Sequence, residues 1–314
     1  MYHYIGIDVS KKVLNIFDGK KDLIFDNKEN LSSFKKYLKK RHSDLSSLVI
    51  LFETTGIYSY HLKTFCADYH IKAYIINPQV SHNFAKSLGT RSKTDTRDAR
   101  TIWDYHRLLK DKDIRIPKVD PVLITLASYL TSYRLTLKQR LALTNHLEGV
   151  KDKILYRLLK KELERLCKLE QELLVRMDAY IKEYPKLKED YQRLLSISGV
   201  GQKTAINLLV LFHTYPATNR KQITALIGLD PVQRQSGTSV HGRSRISKHG
   251  NQMMRKCLYM PTLVSIRYNQ KIKVFYDRLV SKHKPKKVAV IACMRKLLLI
   301  AHAIYKNKTV YVPG

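Results

Sequence analysis

Acidic residues are what this 314-residue chain has least of: 26 Asp and Glu stand against 58 Lys and Arg, a formal net charge of +32. The shortage is uneven, and between Asp230 and Asp277 there is no acidic residue at all. Cysteine is scarce too. Cys66, Cys167, Cys257 and Cys293 are far apart and form no CxxC pair, which argues against both a zinc site and a disulfide framework. No run of about 20 apolar residues reads as a membrane span, and no signal peptide precedes the first charged residues. A cytoplasmic protein with no membrane partner is therefore expected. Disorder is excluded by a hydrophobic content of 44%, ordinary for a chain that folds. What remains is a reduced, folded polycation, whose Lys and Arg side chains release counterions from a phosphate backbone. Nucleic acid is the expected partner.

The first third alternates strands with helices. HYIGIDV (3–9) and VLNIF (13–17) read as strands, LSSFKKYLKK as a basic amphipathic helix and LVILFE (48–53) as a buried strand. TTGIYSYHLKTFCADY comes next as a helix, KAYIINP as another strand, and SLGTRSKTDTRDARTIWDYHRLL as a loop entering a helix. Such alternation predicts an open α/β sheet over 1–118. Four of the few acids fall at telling places in it. Asp8 lies on the first strand and Glu53 at the end of a central one, where open sheets place their sites. Asp95 and Asp98 are three apart at a helix start and share a face. Hard oxygen ligands of this kind suit Mg²⁺, with Mn²⁺ as the alternative, and two such ions can flank an in-line attack at phosphorus. Each acid also has an ordinary use: Asp95 as a helix cap, Asp98 against the helix dipole, Glu53 paired with a lysine.

From 119 to 190 the chain turns to helical periodicity, with leucines at spacings of three, four and seven. No Pro intervenes between Pro121 and Pro185, and the only Gly, Gly149, marks a break between two helices. An extended antiparallel helix pair is predicted, packing on a partner subunit in a dimer or tetramer. A bundle folded against its own neighbouring domain is the alternative.

Near the start of the last segment, 191–314, LLSISGVGQKTAINLLVLF (194–212) reads as a helix end, a turn at Gly199 to Gly201, and a second helix opened by Lys203 and Thr204. This is the helix-hairpin-helix pattern, in which glycines let the backbone approach a phosphate and first-turn N–H groups face the anion. The acid-free interval beyond it carries nine cations, among them Arg243, Arg245, Lys248 and Arg255. Solvated surfaces mix signs, so this one is expected to face phosphates. Ser236–Gly237 lies within that interval, before a Gly- and Ser-rich loop and a helix over about 250–266, and the same cationic stretch holds Ser239, Ser244 and Ser247. A serine among cations could attack a phosphodiester, or simply hydrogen-bond to one. Composition does not choose among the four, although Ser247 reads as the N-cap of the helix.

GIDVSKK, FETTGIY and SKTDTRDA together resemble the DEDD transposases of bacterial insertion sequences, whose first domain resembles the Holliday-junction resolvase RuvC. GLDP, SG and RISKHGN, in that order, are similar to the second domain of the same family, the bridge-RNA-guided recombinases. The resemblance implies an RNase H-like (RuvC-like) N-terminal domain, a coiled-coil-like middle, and a mainly α C-terminal domain containing the helix-hairpin-helix. It implies Asp8, Glu53, Asp95 and Asp98 as the catalytic, metal-binding tetrad, and Ser236 as the covalent nucleophile. Lys93 and Arg97, interleaved with the last acid pair, would touch the scissile backbone or remain solvated loop charges. Donor DNA, target DNA and a structured guide RNA are the implied partners, at the bacterial nucleoid. The expected activity is Mg²⁺-dependent cutting and rejoining of DNA through a phosphoserine. Two alternatives stand beside it: a RuvC-like nuclease that uses water, and a non-catalytic nucleic-acid-binding protein.

Overall fold

The strand–helix alternation at the start of the chain builds one five-stranded sheet. The computed structural model describes residues 2–54, 56–89, 95–236 and 240–312, without the side chains of 57, 95, 233–236 and 240–244. Strands β1 (His3–Val9), β2 (Val13–Phe17), β3 (Asp22–Asp26), β4 (Leu48–Glu53) and β5 (Lys72–Ile76) lie in the order β3-β2-β1-β4-β5. The first three pair antiparallel, whereas β4 and β5 run parallel to β1. Helices α1 (Ser32–Arg41) and α2 (Tyr60–Asp68) make the crossovers, and α3 (Pro78–Ser87) and α4 (Asp95–Asp104) come after β5.

β4 is apolar from Leu48 to Phe52 because both of its faces are covered there. Leu48, Ile50 and Phe52 join Ile5, Ile7, Phe34 and Leu38 on the α1 face, while Val49 and Leu51 join Ile102 of α4 on the other. Alternation along a strand then puts Tyr4, Gly6 and Asp8 of β1, and Glu53 of β4, on the α4 face.

Contacts divide the chain into Met1–Asp120 and Pro121–Gly314. The second unit holds α5 (Pro121–Leu147), α6 (Lys153–Glu183), α7 (Pro185–Leu195), α8 (Gln202–Thr214) and α9 (Arg220–Ile227). A hairpin of β6 (Pro231–Ser236) and β7 (Val240–Ile246) comes next, then α10 (Gln252–Tyr268), α11 (Gln270–Ser281) and α12 (Lys286–Asn307). The two long helices α5 and α6 pair as expected, broken at Gly149. Leu126, Leu130, Leu174 and Met177 from that pair share one core with Phe212 of α8 and Leu297 of α12.

Two expectations need correcting. The Gly- and Ser-rich segment after α9 is a β-hairpin rather than a loop, with Ser236 closing β6 opposite Val240. Ser247 does not cap α10: Asn251 does, its side chain accepting from Met254 N at 3.1 Å, and Ser247 Oγ instead donates to Asp230 Oδ1 at 2.5 Å. Helix α12 is long and apolar enough by length and composition to cross a membrane, but Arg295 and Lys296 interrupt it, so it is no clear span. Its apolarity has a use in packing, since Ala289, Cys293, Leu297 and Ala301 are buried in the core of the second unit.

Candidate functional site

Asp8 and Glu53 are brought together by strand register. β1 and β4 pair in parallel up to Ile7 opposite Phe52, and the next residue on each strand is one of the two acids. Both are half-buried on the α4 face. Helix α4 reaches that face because β1 has a glycine beneath it. A Cβ at Gly6 would overlap the carbonyl oxygen of Ala99 and stand 2.5 Å from the backbone nitrogen of Trp103. The helix is fixed twice more, by Trp103 Nε1 donating to Tyr4 O at 3.0 Å and by Arg100 clasping Asp22 of β3 through both of its carboxylate oxygens. That guanidinium holds the Asp22 carboxyl below the usual carboxylate range.

Trp103 lies over Tyr4 and Ala99 over Gly6, so α4 runs antiparallel to β1 and its N-terminus heads toward Asp8. A strand climbs about 6.6 Å in two residues and a helix about 6 Å in four. The level of Asp8 therefore corresponds to positions 95–98 of α4. Position 98 is also one turn from Ile102, which packs on Val49 and Leu51, so Asp98 stands on the sheet-facing stripe of the helix, with position 95 continuing it. Asp98 is half-buried and Arg97 exposed. The Asp95 side chain and all of Lys93 lie outside the described residues.

The strand ends carrying Asp8 and Glu53 are tied together by a residue that sequence reasoning missed. Asn27 Nδ2 donates to Ser10 O at 2.8 Å and to Tyr58 O at 3.0 Å, joining the turn after Asp8 to the segment after Glu53. Asn27 N also donates to Lys12 O at 2.8 Å. An asparagine just past a strand signals a turn in sequence, but not a clamp between two distant ones.

The donor set fits a hard divalent cation: carboxylate oxygens from two adjoining strands and one helix, with no thiol or imidazole among them. Among the described residues no three acids, histidines or cysteines already stand as a ready metal cluster. The fit rests on Asp8, Glu53 and Asp98 standing on elements that face one another.

In the second unit, the motif residues around Ser236 turn out to build the base of its hairpin. Ser247 N donates to Asp230 O at 2.9 Å, Lys248 N to Gly228 O at 3.2 Å, and Asn251 N to Leu226 O at 2.9 Å. Gly228 and Gly250 both have positive φ, and a Cβ on either would overlap a backbone carbonyl of the facing segment, His249 O and Leu226 O respectively. Arg255 Nη1 donates to Ile227 O at 2.7 Å, so this guanidinium is occupied at the end of α9. Lys248 and Arg245 are exposed near the hairpin base, and Arg243 lies on β7. Ser236 and these cations thus share one β-ribbon and its foot.

The Gly199–Gly201 turn joins α7 to α8 as expected, but its parts divide. At Gly199 a Cβ would overlap Ser265 Oγ and stand 3.0 Å from Pro261 O. The close approach there is to α10, where Ser265 Oγ also donates to Ser198 O at 2.9 Å. Gly201 is exposed and open. The Thr204 side chain is buried, near Cys257. Lys203 Nζ reaches Glu170 Oε1 at 3.1 Å, alongside Arg140 Nε at 2.7 Å from Oε2 and Tyr133 Oη at 3.0 Å. Burial alone would raise the Glu170 carboxyl, yet its bonds from Lys203, Arg140 and Tyr133 outweigh that and hold it below the usual range.

Comparison with known proteins gives a consistent picture. Residues 5–155 match a family model described as a transposase, of the DEDD type of IS110, and residues 191–277 match one described as the transposase IS116/IS110/IS902 family. The pilin gene-inverting proteins of Moraxella bovis and Moraxella lacunata are each 30% identical over 322 residues, 97% of this chain and 96% of their own. The transposase for insertion sequence element IS1111A of Coxiella burnetii is 26% identical over 211 residues, 60% of this chain and 55% of its own.

Proposed function

The chain belongs to the IS110/IS116/IS902 transposase family, and from that premise we propose that it cuts and rejoins DNA through a phosphoserine at Ser236, with Mg²⁺ held by Asp8, Glu53, Asp95 and Asp98 and a guide RNA choosing the sites. The observation that carries the reading is the juxtaposition of Asp8 and Glu53 on adjoining strands, with the acidic start of α4 laid across the same face. The strand order, with β1 central, the antiparallel run β1-β2-β3 on one side and the parallel strands β4 and β5 on the other, supports an RNase H-like domain. A bound Mg²⁺ would supply Lewis acidity at the scissile phosphate.

In this reading Ser236 Oγ attacks phosphorus, its proton passing to solvent, and the bond from phosphorus to one strand's sugar oxygen breaks. The phosphodiester energy is kept in the serine ester, which the hydroxyl of the incoming strand then attacks to release Ser236. Arg243, Arg245 and Lys248 on the same ribbon offset the phosphate's charge. Gly201 and the opening of α8 take a backbone phosphate. The α5–α6 pair serves association into a dimer or tetramer, which its exposed Ile154, Leu155 and Leu158 support. Two full-length relatives are named for inverting a pilin gene. Cutting and rejoining at two sites of one DNA molecule would invert the segment between them. The protein would act in the cytoplasm, at the nucleoid.

The test combines donor DNA, target DNA, element RNA and Mg²⁺ with the full-length protein and reads joined strands. Wild type is expected to join them. Omitting RNA, chelating Mg²⁺ or introducing Asp98→Ala should each abolish joining. Joining that persists without RNA would overturn guidance, and joining by Asp98→Ala would overturn the metal site.

A further inference from the structure

One buried side chain on the α4 face carries an unmet hydrogen bond. Asn15 of β2 stands opposite Asp8 in the antiparallel register, so the two side chains leave the sheet together, their Cβ atoms roughly 5 Å apart. Its neighbours identify the face. Phe17, two residues on, meets Trp103 of α4 edge-on at 5.3 Å, whereas Leu14 and Ile16 pack with Phe34 on the opposite side. Asn15 is only 6% exposed. Its amide nitrogen Nδ2 is buried and has no hydrogen-bond partner among the described residues.

Buried amides are normally satisfied, and an amide N–H can be met only by an acceptor. If the fold alone set this position, a Leu or Val would fill a β-strand interior without leaving a donor unpaired. An asparagine is explained if its acceptor becomes available when the acids engage a cation. Resting on the reading of the four acids as a metal site, we propose that Asn15 is the positioning residue for Asp8: its Nδ2–H donates to the Asp8 carboxylate oxygen turned away from a bound divalent ion. This bond fixes the rotamer of Asp8 and directs its other oxygen to the metal. Ligating carboxylates commonly have such a partner, and its loss costs about 10–100-fold in metal affinity. A carboxylate at position 15 would compete as a ligand, and a lysine would neutralise Asp8. An amide does neither.

The test uses full-length protein and Mn²⁺ alone as the probe, titrated by electron paramagnetic resonance of the free ion. Thermal unfolding in EDTA is measured in parallel. Asn15→Leu and Asn15→Val are compared with wild type and with Asp8→Asn. Both Asn15 variants should bind Mn²⁺ about 10–100-fold more weakly while unfolding in EDTA at or above the wild-type temperature, since a buried orphan donor has gone. Wild-type affinity in either variant would overturn the proposal. So would a lower melting temperature or failure to fold in both, because the amide would then be serving the apo fold. If wild type itself bound no Mn²⁺, or Asp8→Asn bound it as well as wild type, the metal reading would fail instead.

Discussion

A methyl group added at Gly6 would collide with the backbone of α4 at Ala99 and Trp103. That helix carries Asp98 and position 95, so the smallest residue on β1 sets where half of the acids stand. Glycine inside a strand often marks the close approach of another backbone, a signal present in HYIGIDV that reading for charge passes over. Gly6→Ala is expected to cost about 1–3 kcal/mol by overpacking and to shift the emission of Trp103, the only tryptophan. Urea unfolding followed by that emission checks both, and a wild-type midpoint would show that α4 does not need the close seat. The acids themselves were legible as residues because acids are rare here. Asn15 and Asn27 were not, since nothing in a lone asparagine says that it pairs with Asp8 in the strand register or that its amide spans Ser10 and Tyr58.

Among the elements, those with strong apolar patterns were read from sequence and those held by backbone or caps were not. β1, β2, β4 and β5 announced themselves through Ile, Val, Leu and Phe. The edge strand β3 alternates with exposed positions and ends in Asp on both sides, which reads as turn. Helix α3 starts at Asn77–Pro78, with Asn77 accepting from Gln79 N at 2.9 Å, a cap that was absorbed into the end of a strand. The β6–β7 hairpin has little apolar alternation to find. Its register is held at the foot by Gly228, Gly250, Asp230 and Ser247, so these four residues of the motif that resembles a family signature serve the backbone.

At the same scale, Glu170 joins α6 to α5 and α8 through Tyr133, Arg140 and Lys203. Its carboxyl is held below the ordinary value, so its contribution is complete above about pH 4.3 and is lost as pH falls through the lower, folded value. The wild type should therefore lose stability on acidification more steeply than Glu170→Gln, as followed by melting temperature from about pH 6 to pH 3. Parallel acid limbs would show that the network contributes no proton linkage.

For the whole molecule, the order of parts could be read from sequence: an α/β segment with acids, a helical stretch, and a basic segment with glycine turns and serines. The structure adds that the helical stretch shares its core with the C-terminal helices, Leu126 and Met177 packing with Phe212 and Leu297. Sequence could not show this, because leucines at helical spacing look alike whether they face a partner chain or their own neighbours. The proposed transesterification requires both the acids and Ser236. The most direct measurement traps the reaction of DNA, RNA, Mg²⁺ and protein with denaturant, digests both polymers and maps the nucleotide-bearing peptide by mass spectrometry. A nucleotide ester on Ser236, absent with Ser236→Ala and with Asp8→Ala, is the predicted result. Clean hydrolytic nicks with no protein-linked nucleotide, equally abundant with Ser236→Ala, would rule out the serine ester and point to water as the nucleophile.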